Sequence, residues 1–412
     1  MVLAALLLEC VKMDFSRRSL LSAGALFAAT PASAEVLANG TDQTLELQAA
    51  IDHAARQGGV LRLGAGKFVV SGLHVKTSLQ IEGVAGHTTL VAAGVATILK
   101  VEGVEQVSIN GISFEGGANG LVLKNCGGRI CGNEFMSQEK TALFALDSKG
   151  LEISGNHVHD VGNNGIQVWT SDKREDGTLV INNRVERVAA RAGGSGQNGN
   201  GINIYRAGNV LVSNNRVTDC FYSAIRNNSG SDCQIIGNSI SRTGEVAIYV
   251  EFAFEGAVVS NNMIEDIGFG ISITNFNEGG RLAVCSNNLV RNARGGNSEG
   301  VTTAGGIYAE ADTLVSNNVI EHARDVGIAL GWGLYCRNLS AQGNLIRDCG
   351  KGITASVTGG AGPSYLANNV ITGAKTAAIL GMDHLNAMTD DLGKAGAKVP
   401  DLIQLKDNII RA

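Results

Sequence analysis

The chain has 412 residues, a formal net charge of -5, 55 glycines, three prolines and only 5% aromatic residues. So mild a balance offers neither a basic face for nucleic acid nor an acidic solvating tail, and no nucleic-acid partner is expected. Abundant Gly and Asn with almost no Pro describe a chain that turns often, and the length suffices for one large core.

Residues 1–34 read as an export signal, to be set apart from the fold. Arg17-Arg18 precede an apolar run, Leu20 to Ala29, that is too short to span a bilayer, and Ala32-Ser33-Ala34 supplies the small residues of a cleavage site. The arginine pair favours the twin-arginine route over a general secretory signal. The translocase of that route is then a partner during export, and the mature chain is periplasmic or secreted, with no membrane association after cleavage. Met13 is an alternative start. Of eight cysteines, Cys10 falls in this segment; the rest form no CxxC and no Cys/His set with zinc spacing. Neither a disulfide framework, a metal nor another cofactor is expected. Cys220 and Cys349 share a repeat position, which assigns them to core packing.

Residues 35–59 read as an N-terminal cap. Asp42 to Arg56 has helical spacing, with Leu47, Ala50, Ile51 and Ala54 on one face, Thr41 or Asp42 as cap and Gly58-Gly59 as stop. Strands are predicted at Val60 to Leu63, Phe68 to Val70, Leu73 to Val75 and Leu79 to Ile81.

From there a pattern (N/G)-N-x-(V/I/L)-x recurs at Asn133, Asn156, Asn183, Asn215, Asn238, Asn262, Asn288, Asn318, Asn344 and Asn369, spaced 23 to 32 residues apart, with Asn110 before and Asn408 after. A floor near 23 with occasional excess is a fixed unit carrying loop insertions. Later in each unit comes Gly/Ala-Ile-x-apolar, as in Gly165-Ile166-Gln167-Val168 and Ala247-Ile248-Tyr249-Val250, and an apolar alternation such as Val210-Leu211-Val212 precedes each Asn. Three short alternating segments per unit predict three strands per coil, stacked in parallel. The expected fold is an all-β, single-stranded, right-handed parallel β-helix over residues 60–412, with an insertion at about 383–399 that either covers the far end or hangs off the side. The recurrent Asn either forms an amide ladder between coils or serves left-handed turns.

The run Thr41-Asp42 through Leu47-Gln48-Ala49-Ala50-Ile51, then Gly58-Gly59-Val60-Leu61 and Ala65-Gly66-Lys67-Phe68, resembles the opening of pectate-lyase-like (pectin-lyase-like) β-helix proteins. With the arginine pair and the Asn repeats, the whole chain is similar to the family of twin-arginine-translocated repeat proteins of uncharacterised function. That resemblance implies fold and export and favours carbohydrate as partner. It implies no particular reaction, since lyases, hydrolases, epimerases and adhesins share the scaffold.

Strand alternation sorts the outward side chains into columns. Beside the inward Ile of the Gly/Ala-Ile strand, one column reads Gln167, Asn203, Arg226, Tyr249, Ser272, Tyr308, Ala329, Thr354, and the next Trp169, Tyr205, Asn228, Glu251, Thr274, Glu310, Gly331, Ser356. Aromatic, Arg, Asn and Glu side chains occupy the middle coils, and the insertions Ala189 to Asn200, Arg294 to Gly305 and Ser171 to Gly177 border the same face. Loops around a polar, aromatic floor predict a cleft for a polysaccharide or oligosaccharide. Tyr205, Arg226, Tyr249, Glu251 and Glu310 are the candidate catalytic residues; Gln167, Trp169, Asn203, Asn228 and Tyr308 are the candidate substrate contacts. Glu251 and Glu310, two coils apart at about 10 Å, are too distant for a retaining carboxylate pair and at the upper edge for an inverting one, and the Tyr, Arg and amide composition suits a lyase acting on an acidic glycan better than a hydrolase. In that scheme Arg226 with Asn228 neutralises the substrate and Tyr249 or Tyr205 acts as acid or base, base duty requiring that Arg226 lower the pKa of the phenol beside it. The rivals are a non-catalytic glycan-binding envelope protein and a structural spacer or trimeric stalk. His157 and His159 share a strand face, but Arg184 and Arg216 continue that column and no third ligand is expected on adjacent coils.

Overall fold

The computed structural model describes residues 35–194, 196–296 and 302–411. The export signal and the first cysteine lie outside the described residues. Coils stack into a parallel β-helix with three strand faces. The first face holds 15 strands among the described residues, running from Glu35–Val36 through Leu151–Ser154 to Ile403–Lys406. The second includes Glu134–Met136, His157–Val161 and Arg184–Val188, and the third Thr141–Leu146, Asn164–Glu175 and Asn200–Gly208. In two coils the second and third strands fuse into one bent run, Ser239–Glu251 and Met263–Ile273, with a register shift between Thr243 and Val246 where the chain turns the corner.

Inward positions stack like on like. Ile166, Ile202, Ile225, Ile248, Ile271, Ile307, Ile328, Ile353 and Ile379 form one unbroken column on the third face. All are fully buried, each contributing roughly 1.5–3 kcal/mol. The residue before each Ile must be small: a Cβ on Gly201 would lie 2.7 Å from the Ala224 carbonyl oxygen of the next coil. Seven free cysteines fill the core or its margin, and burial pushes Cys233 and Cys285 up to about 12, leaving inert thiols.

The repeated Asn forms the ladder, and the left-handed turn falls on the residue before it. The first residue of each pair, such as Asn182, Asn214 or Gly237, has positive φ. The second forms the ladder: the backbone N–H and Nδ2 of Asn215 both donate to Oδ1 of Asn238, at 3.0 Å each, and the pattern repeats from Asn133 to Asn408. Asn110 does not belong to it. It pairs with Cys131, and Ile112 holds the ladder position of that coil, its N–H donating to Asn133 Oδ1.

The helix is Thr44–Arg56, two residues shorter than predicted, because Asp42 stays outside and accepts from the Thr44 N–H at 2.9 Å. Leu47 and Ile51 bury against the first coils. At the other end the insertion covers the third face. Its chain folds back on the strand Ala377–Asp383: Met388 N–H donates to Gly381 O, Leu392 N–H to Ile379 O, and Asp391 Oδ1 accepts from Ile379 N–H.

Candidate functional site

The third face carries the predicted columns in register. Gln167 lies opposite Asn203, Asn203 opposite Arg226, Arg226 opposite Tyr249, Tyr249 opposite Ser272 and Ser272 opposite Tyr308. Trp169, Tyr205, Asn228 and Glu251 align in the second column. Two depressions follow one another along this face, meeting at the Arg226–Tyr249 pair.

The first, of about 850 Å3, has an aromatic floor. Phe144 meets Trp169 edge-on at 5.3 Å between ring centroids, and Trp169 meets Tyr205 at 5.5 Å. The polar groups beside them are amides: Trp169 Nε1–H donates to Asn203 Oδ1 at 3.3 Å, and Gln167 Oε1 accepts from Thr141 Oγ1–H. One wall is the insertion before Gly201, held down by Asn164 Nδ2 donating to Gln197 O at 2.9 Å and Gly199 N–H donating to Asn163 O. At the opposite rim Phe252 lines the depression, while the charged segment after Trp169, expected as a further wall, contributes no lining residue. Ser171 and Arg174 anchor on Asp147, and Lys173 Nζ reaches across the intervening coils to Ala253 O at 2.5 Å.

Between the depressions sits a buried charge cluster. Arg226, only 5% exposed, donates from Nε and Nη2 to the two oxygens of Glu251 at 2.6 and 2.8 Å and from Nη1 to Glu245 at 3.3 Å. Asn228 Nδ2 also donates to Glu251, and Ser223 Oγ–H to Glu245. The expected neutralising pair, Arg226 with Asn228, is therefore already committed to Glu251. Of the two roles open to Tyr249, acid or base, the second fares no better. Arg226 does stand 4.7 Å over its ring, but burial, reinforced by Glu251, outweighs that cation and drives the phenol upward. Tyr249 is thus a proton donor at neutral pH. Burial likewise raises the carboxyl of Glu251 against the opposing pull of Arg226. Glu245 escaped the column alignment because it lies at the register shift, where alternation fails.

The second depression, of about 360 Å3, holds Tyr249, Tyr308 and Glu310. Glu310 accepts from Tyr308 O–H at 2.5 Å, Thr274 Oγ1–H at 2.7 Å and Phe276 N–H at 2.7 Å, and Tyr308 is raised by burial and by Glu310. The small residues that close the columns, Ala329, Thr354, Gly331 and Ser356, leave the space. Trp332 and His384 enter from loops past the strand ends, edge to face at 5.0 Å, and Lys351 enters from the strand start. Column alignment misses all three, since none stands beside the inward Ile. Thr303 lines the same depression, so part of the second glycine-rich insertion borders it.

On the second face, Glu134 lies opposite His157, supplying the third ligand type that the sequence reading expected to be absent. Its column does continue into Arg184 and Arg216, but the relevant neighbour is the preceding coil.

Residues 104–306, just under half of the chain, match the family described as NosD, periplasmic copper-binding protein. No curated protein matches. Among solved structures, the catalytic domain of a GH87 alpha-1,3-glucanase in complex with nigerose is similar at 12% identity and a TM-score of 0.53, over 91% of this chain and 69% of that one. The catalytic unit of the thermostable GH87 alpha-1,3-glucanase from Streptomyces thermodiastaticus strain HF3-3 is similar at 16% identity and a TM-score of 0.54, over 90% and 66%. At these identities the likeness is one of fold, and it agrees with the parallel β-helix seen here.

Proposed function

We propose that the protein is an exported, periplasmic carbohydrate-active β-helix that holds an extended glycan along its third face. The observation that carries this reading is the walled aromatic floor of Phe144, Trp169 and Tyr205, edged by the amides of Gln167, Asn203 and Asn228 and continuous with a second, polar depression. Aromatic faces suit the C–H faces of sugar rings, and amides suit their hydroxyls. The glucanases similar in fold, one of them in complex with nigerose, and the periplasmic family description support glycan and compartment respectively.

Both tryptophans of the sequence, Trp169 and Trp332, line the groove, so intrinsic fluorescence reads its occupancy. Titration with neutral and uronate oligosaccharides should give saturable changes, and Trp169→Ala should weaken binding at least tenfold. Absence of any saturable change across the panel would rule out the glycan reading.

A lyase-like step on an acidic glycan belongs to the second depression. There Lys351 supplies a cation for the uronate carboxylate, the His384 imidazole, its Nδ1 2.7 Å from Asp383 Oδ1, takes the proton from the carbon beside that carboxylate, and the protonated phenols of Tyr249 and Tyr308 supply a proton for the leaving oxygen. Incubation with uronate polymers should generate unsaturated ends that absorb in the ultraviolet, about 100-fold more slowly in Tyr308→Phe, the low end of acid–base contributions. Saturable binding without such ends would leave a glycan-binding protein and remove the lyase.

A further inference from the structure

The second face carries an arrangement that the groove does not use. Glu134 and His157 are opposite each other on adjacent coils, with His159 two residues along the same strand and the two imidazoles 4.5 Å apart between ring centroids. Glu134 Oε1 lies 3.3 Å from His159 Nε2 and 3.8 Å from His157 Nδ1, and the three atoms are mutually within 4.8 Å. Around an ion bound tetrahedrally at 2.0–2.1 Å, neighbouring ligand atoms stand about 3.3 Å apart.

The atoms facing away from this point are each fixed by a partner. His157 Nε2 is 3.0 Å from Glu186 Oε1, His159 Nδ1 is 2.7 Å from Asp160 Oδ2, and Glu134 Oε2 accepts from Ser113 Oγ–H at 2.8 Å. Each imidazole that donates its outer N–H to a carboxylate turns an unprotonated nitrogen inward. Two imidazole nitrogens and a carboxylate oxygen then converge, an arrangement that a proton or a metal cation between them holds together. Carboxylates behind ligating imidazoles are what metal-binding histidines require for orientation and basicity. The supports are in turn held: Arg187 donates to Asp160 at 2.8 and 3.0 Å and pairs with Glu186, as does Arg184. Three carboxylates, Glu134, Asp160 and Glu186, thus face two guanidinium groups, and the local balance favours an added cation.

We propose that Glu134, His157 and His159 form a binding site for a divalent transition ion, with at least one coordination position open to water or to a ligand. The mixed imidazole and carboxylate set suits such an ion better than calcium or magnesium, which take oxygen donors. The site stands on a different face from the groove, so it does not depend on the glycan reading.

The test is calorimetric titration of zinc chloride into the untagged full chain after removal of metal with a chelator. One ion should bind per chain. Affinity should fall at least 100-fold in His159→Ala and in the conservative Glu134→Gln, and 10- to 100-fold in Glu186→Gln, which acts only through His157. Cobalt(II) provides a second readout, because its visible spectrum reports imidazole coordination in the unaltered protein. Absence of binding would overturn the site, as would undiminished affinity in a folded His157→Ala/His159→Ala double variant.

Discussion

Glu186 shows how a single carboxylate becomes a pH-dependent contributor to stability. Burial alone would raise its pKa, but hydrogen bonds from His157, Arg187 and Arg184 more than reverse this and bring it down to about 2. A carboxyl lowered on folding stabilises the folded state above its unfolded pKa, near 4.3, and loses that contribution as pH falls towards the folded value. The melting temperature, measured with chelator present, should therefore drop between about pH 4.5 and 2, and Glu186→Gln should flatten that part of the profile. An identical acid limb in the variant would show that other carboxylates carry it. Arg226 and its two glutamates teach a complementary lesson. Residue identity alone cannot say whether an arginine on an outward column faces ligand or is spent on its neighbours, and here the register shift brought a second glutamate under it.

Among the elements, the asparagine stack is the most legible in sequence, because one residue at each coil must satisfy its neighbours and so must recur. Asn238 accepts two bonds from Asn215, donates two to Asn262 and donates one to Val212 O. Asn238→Ala would leave several buried groups without partners, each worth about 1–3 kcal/mol, so a loss of at least ~3 kcal/mol is expected. Asn408→Ala, at the half-buried end, should cost much less because water replaces the lost partners. Thermal or chemical unfolding compares the two, and equal losses would refute the ladder as a buried chain of bonds. The strand periods, the isoleucine column and the outward columns were equally legible, since each depends only on alternation within a coil. What alternation could not locate was anything carried by a loop or a corner: Trp332 and His384 beyond the strand ends, and Glu245 at the bend. Glu134 was missed for a different reason. It lies on the coil before the histidines, while the column was followed only forward.

At the scale of the whole molecule, the physical problem of a stack of coils is its two ends, each presenting unpaired N–H and C=O groups to any other strand. The helix with Leu47 and Ile51 covers one. The segment after Asp383 covers the third face at the other, spending the Asp391 carboxylate and the Thr389 hydroxyl on the N–H groups of Ile379 and Gly381. Side chains make these two bonds, and the only strand laid on the edge among the described residues is the two-residue Asn386–Ala387, so the edge is satisfied with little new edge created. Replacing residues 386–398 with a short glycine linker should expose Ala377–Asp383 and produce concentration-dependent self-association in size-exclusion chromatography. Asp391→Ala, a smaller lesion, should leave the chain's association state unchanged but speed amide exchange at Ile379. If the linker variant stayed monomeric with Ile379 as protected as before, the edge would have to be guarded by the neighbouring coil, and the insertion would be left to its other visible role, placing His384 at the end of the groove.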